Sequence, residues 1–213
     1  DTIEQYVDWA NEYGLKLDLV WFGSIAMGRP GDQVPEYLTT DDWDNYQKYY
    51  SNGTGPDDMY TYLPSHSGDM AQYYQWEQDA VSALFDHLAT YDTNHTVVSF
   101  QVYNEANQHT DWNTTEFKTD VLDPLGEAVK NSNYVVATRV NLTWSSNDAE
   151  VNDLPNIDFV GPDPYSTSYT DIKDIITEQG VSDMNYIAEN GGHYNNISHL
   201  IATAIVNGGG YVS

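Results

Sequence analysis

Apolar and polar positions along this chain follow two rhythms, one near 3.6 residues and one of 2. Ile3, Tyr6, Val7, Ala10 and Tyr13 recur at helical spacing, which predicts an amphipathic helix over residues 2–13. Asp1 and Glu4 are placed to cap it and Gly14 to stop it. "LKLDLVWFG" (15–23) then reads as a strand. Residues 25–70 keep no clear period and carry Gly and Pro throughout. Helical spacing returns over 72–91 through Trp76, Ala80, Ala83, Leu84, His87, Leu88 and Tyr91.

The alternation then repeats. "TVVSFQVY" (96–103) is a predicted strand, and 114–131 is helical, with Pro124 either kinking the helix or opening a second segment after Asp123. "YVVATRVNL" (134–142) is a strand, 145–153 a short polar connection, and "IDFVGPDPY" (157–165) a strand followed by a turn. A helix over 169–179, a strand at "MNYIAEN" (184–190), a helix over 196–206 and a strand in "GGGYVS" complete the order. Strands alternating with helices imply parallel β/α units. Six strands fit either a doubly wound open sheet or a (β/α)8 barrel of which strands 3 to 8 are visible.

The strand ends separate these two. Period two in 97–105 puts Val97, Ser99, Gln101, Tyr103 and Glu105 on one side, and Val98, Phe100 and Val102 on the side a helix layer would cover. The first set ends in polar groups, as the mouth of a barrel requires, because function gathers at the carboxyl ends of barrel strands. Asn104 beside Glu105 can bond a substrate hydroxyl or orient the acid. "MNYIAEN" delivers Glu189 at the end of another strand, 84 residues on, about three β/α units later. In a closed barrel this spacing sets strands 4 and 7 across the mouth from one another. Two carboxyls about 5–5.5 Å apart there form the pair of a retaining glycosidase, one a nucleophile and the other an acid that later turns base.

Charge and composition narrow the partners. With 33 acidic and 7 basic residues, net −26, the chain lacks the positive surface that nucleic acid or an anionic membrane needs. No stretch approaches eighteen apolar residues, so no membrane span is expected. The absence of Cys excludes disulfides, thiolate metal sites and a cysteine nucleophile. Six His show no metal-ligand spacing, and no phosphate-binding loop or serine-hydrolase elbow is present. Sequons at Asn52, Asn94, Asn113, Asn141 and Asn196, with the acidity, favour a secreted glycoprotein. Asn141 ends its strand, which makes a sugar contact an alternative to a glycan there. Trp21, at another strand end, and the loop aromatics Tyr37, Trp43, Tyr46, Tyr49, Tyr50, Tyr60 and Tyr62 offer faces for stacking on sugar rings.

"LVWFGSIAMG" (19–28), "VSFQVYNEAN" (98–107), "IDFVGPDPY" (157–165) and "YIAENGG" (186–192), in this order, resemble clan A glycoside hydrolases, in particular the family 35 β-galactosidase-like branch. The resemblance implies a TIM barrel in which Glu105 is the general acid/base and Glu189 the nucleophile. It further implies that Asn104 contacts the sugar 2-hydroxyl and that Tyr165 lies near the nucleophile. Tyr103 stands where the branch often has Glu and joins the substrate-binding candidates. No match exists for the family's first two strands.

The expectation is therefore a partial (β/α)8 catalytic barrel over 1–213, a fragment of a longer chain, that hydrolyses β-linked sugars with retention and without a cofactor or metal. Its candidate site comprises Glu105, Glu189, Asn104, Tyr165, Trp21, Asn141 and Tyr103. The alternative is a non-catalytic carbohydrate-binding or structural protein on a degenerate barrel.

Overall fold

Thr2, rather than Asp1, caps the first helix. In the computed structural model, the Gln5 backbone N–H donates to the Thr2 hydroxyl and the Thr2 N–H donates to Gln5 Oε1, a capping box shifted by one residue from the one expected. The structure describes residues 2–21, 68–108, 114–143, 151, 153–163, 168, 170, 171, 174, 185–187 and 209–211. Helix α1 (Ile3–Tyr13) ends at Gly14, whose φ of 67° places it in the left-handed region that Gly adopts at low cost. Val7 and Ala10 are buried, whereas Tyr6 and Tyr13, expected on the same inner stripe, are exposed.

Strand β1 (Leu17–Val20) follows, then α2 (Gly68–Tyr91), β2 (Val97–Tyr103) and a short 3-10 turn (Ala106–Gln108). The buried face of α2 is Tyr74, Glu77, Val81, Phe85 and Leu88. The stripe expected from the sequence is rotated from this one, because the buried Glu77 interrupts the apolar pattern, and Trp76, His87 and Tyr91 lie outside. The next helical run passes from α3 (Thr115–Phe117) through a π-helical stretch (Lys118–Leu122) into α4 (Asp123–Lys130). Pro124 sits in the first turn of α4, where its missing N–H costs least, so it opens the second segment. Gly126 faces the backbone of Asn156, where an added Cβ would come within 2.3 Å of the carbonyl oxygen. Asn156 is in turn held by its N–H and Nδ2 to the Asp123 carboxylate, at 3.0 and 2.9 Å.

Strands β3 (Ala137–Thr143) and β4 (Phe159–Asp163) complete a four-stranded parallel sheet in the order β1-β2-β3-β4. β5 (Asn185–Ile187) and β6 (Gly209–Tyr211) pair in parallel, and β5 contacts β4. One face of the four-stranded sheet packs Phe100, Val102, Val140, Leu142 and Val160 into a core with Phe85, Leu88, Phe117, Leu125 and Val129 of the helices. Phe85 meets Phe100 edge to face, with ring centroids 4.9 Å apart.

Two register shifts alter the expected faces of β2. One lies opposite Leu17/Asp18, the other between Gln101 and Tyr103. Each inserts a residue into the ladder, so Val97 and Tyr103 join the helix-side core instead of the Ser99 and Gln101 side, and Val98 is left 45% exposed.

The entry to β2 is held by Asp92. Its carboxylate accepts the N–H groups of Thr96 and Val97, at 2.6 and 2.9 Å, and the Tyr134 hydroxyl. Burial by itself would raise this carboxyl's pKa, but the hydrogen bonds from Tyr134, Val97 and Thr96 outweigh it and hold it below the usual range. Because the folded-state pKa lies below the unfolded one, the stabilisation is complete above about pH 4 and fades as pH falls through the folded value. Asp92→Asn is expected to cost about 2–3 kcal/mol at pH 7. Urea midpoints of native and variant protein should converge as the pH is taken down to about 2; a constant gap would refute the linkage.

Candidate active site

The sheet face away from the helices is polar and yet buried. Asp18, Ser99, Gln101, Arg139 and Asn141 all lie on it, by strand alternation and register, and Ser99, Gln101, Arg139 and Asn141 are each at most 3% exposed. The Asp18 carboxylate receives the Ser99 hydroxyl and the Arg139 guanidinium, an ion pair whose side chains are 5% and 1% exposed. Neither charge was singled out from the sequence. Their signal was a lone charged residue at mid-strand in each of two apolar runs, "LDLV" and "VVATRVNL".

The candidate carboxylate stands at the carboxyl end of β2. Gln101 Nε2 donates to Asn104 Oδ1 at 2.9 Å, which fixes the Asn104 amide on the polar face just before Glu105. Glu105 is buried and takes φ 45°. The left-handed region costs a residue with a Cβ about 1–2 kcal/mol, and Gly would relieve it. The only other described non-Gly residue with positive φ, His95, sits in an exposed turn. At Glu105 the strain is held in place by Ala106, fully buried in the core immediately after it. Backbone strain kept at a buried acid at the end of a parallel strand is the pattern of a functional position. Glu105→Gly should therefore be about 1 kcal/mol more stable than Glu105→Ala, since both lack the carboxyl and only Ala retains the strained Cβ. Equal thermal unfolding of the two variants would remove the strain argument.

Asn141 lies on the same polar face, one same-side position beyond Arg139 on β3. It is wholly buried, which leaves no room for a glycan in the folded chain, and neither atom of its amide finds a hydrogen-bond partner among the described residues. Trp21 and Tyr103 go elsewhere. Trp21 continues β1 through its N–H to the Gln101 carbonyl at 2.9 Å, but its ring packs on the helix-side core with Leu17 and Leu19. Tyr103 meets Phe117 edge to face at 5.4 Å in that same core. Both side chains thus lie on the opposite face from Asn104 and Asn141. Glu189, Tyr165 and the aromatics of 37–62 lie outside the described residues.

Among the described residues no group of three or more His, Asp and Glu could hold a metal ion, and no helix is long and apolar enough to cross a membrane. The arrangement offers a carboxyl able to give or take a proton, an oriented amide beside it and a second amide one strand away. No curated protein matches the chain. A family model described as a domain of unknown function, DUF4978, matches residues 117–213, a span that includes Asn141 and Glu189 and stops short of Asn104 and Glu105.

Proposed function

We propose that this chain forms part of a (β/α)8 barrel that hydrolyses β-linked sugars, β-galactosides or close relatives, with retention of configuration. The observation that carries the reading is Glu105: a buried acid held in the left-handed region at the carboxyl end of a parallel strand, with Asn104 pinned beside it. The buried polar sheet face supports a closed barrel, because the second face of a doubly wound sheet would be apolar and covered by helices. The sequential strand order supports the same architecture.

In this reading the Glu105 carboxyl protonates the glycosidic oxygen while the Glu189 carboxylate attacks the anomeric carbon. The C–O bond to the leaving group breaks and a glycosyl ester to Glu189 forms. Glu105, now a carboxylate, takes a proton from water as that water attacks the same carbon. The sugar leaves with its original configuration, Glu189 regains its charge and Glu105 its proton. Asn104 is suited to bond the hydroxyl next to the reacting carbon. The acidic surface and the sequons support action outside the cell.

The test is hydrolysis of a panel of aryl β-glycosides by the native protein, with the first-formed anomer read by NMR. One sugar should be released, and as the β-anomer. Release of the α-anomer would overturn the retaining mechanism, and no turnover of any member would leave carbohydrate binding without catalysis.

A further inference from the structure

Asn141 is fully buried, yet its amide nitrogen and oxygen both lack a hydrogen-bond partner among the described residues. Folded proteins pair nearly all such groups, and those left unpaired point to a use. Of the neighbours on the same face, Arg139 is engaged with Asp18 through Nη2, and Gln101 with Asn104 through Nε2. On the far side, the register partner of Asn141 on β4 is Gly161, which adds no side chain to that face. The amide therefore stands between the strand that carries Glu105 and a side-chain-free step on β4.

We propose that Asn141 is a specificity-determining residue whose amide both donates to and accepts from a hydroxyl of a neutral sugar bound beside Glu105. The proposal rests on the glycosidase reading and adds the group that reads the sugar. An amide presents acceptor and donor together, as a hydroxyl does; a carboxylate or phosphate only accepts and an ammonium only donates. A net charge of −26 also gives an anionic ligand no attraction.

The experiment compares the native protein and Asn141→Ala on an aryl β-glycoside and its monodeoxy analogues, with binding of free galactose and free glucose measured by calorimetry. For one ring position, loss of the hydroxyl should cost the native enzyme roughly 10-fold in kcat/KM, the value of about one hydrogen bond, and cost Asn141→Ala nothing further. Binding of the preferred free sugar should weaken by a similar factor. Asn141→Leu, which removes the unpaired amide at similar volume, should melt no lower than the native protein while losing the same discrimination. Asn141→Ser provides a second variant should Asn141→Ala fail to fold.

Turnover whose deoxy profile is the same in native and variant protein overturns the subsite and leaves the glycosidase reading standing. Sugar binding that depends on Asn141 without any turnover does the reverse. Neither binding nor turnover of any sugar overturns both.

Discussion

Glu105→Gln is expected to slow hydrolysis of β-glycosides with poor leaving groups by about 10²–10⁴-fold, the range for one positioned group acting as acid and then base. The loss should depend on the leaving group. A dinitrophenolate departs without protonation, so the first step survives in Glu105→Gln while the second, which needs a base to activate water, stalls. A glycosyl-enzyme then accumulates, visible as an intact mass raised by one sugar residue. A small anion such as azide needs no base and should restore turnover. Glu189→Gln should behave differently, with turnover lost for every leaving group and no covalent adduct formed, because the nucleophile itself is gone. Two variants that fail identically on all substrates, with no adduct in either, would sink the assignment of separate roles.

The second large effect concerns stability. Asp18→Ala should cost about 3–5 kcal/mol, because it removes the carboxylate paired with the buried Arg139 guanidinium. A domain stable by about 5–15 kcal/mol would lose much of its margin to that one change. The double replacement Asp18→Leu with Arg139→Met should recover most of the loss, since neither member of the ion pair is left behind. Urea unfolding of the native protein, the two single variants and the double variant gives the coupling directly. A loss below about 1 kcal/mol in Asp18→Ala would show that water reaches the pair and that the polar face is not a closed interior.

Much of the molecule was legible in local pattern. Among the described residues, the order of helices and strands follows from the change of period between 3.6 and 2, and Gly14 stops α1 because it is free to take positive φ where other residues pay for their Cβ. Asn104 and Glu105 could be placed at a strand end for the same reason, as polar residues terminating an apolar run. The less legible parts share a cause. Counting alternate residues puts Tyr103 on the mouth side and fails because β2 gains an extra residue against its neighbour, and Trp21, read as a strand end, follows a strand that stops at Val20. The inner stripe of α2 was misplaced because one of its members is Glu77, whose burial is decided by its surroundings and not by its type.

By itself, then, the sequence determined the order of the described elements, the stop of α1 at Gly14 and the polar residues that end β2, since each depends on neighbours a few positions away. Tertiary structure alone decided which face each side chain takes. Strand register belongs to pairs of strands, and Asp18 meets Arg139 across 121 residues. The strain at Glu105 was likewise decided there, because a left-handed turn at a residue with a Cβ persists only when the packing on both sides of it leaves no cheaper path.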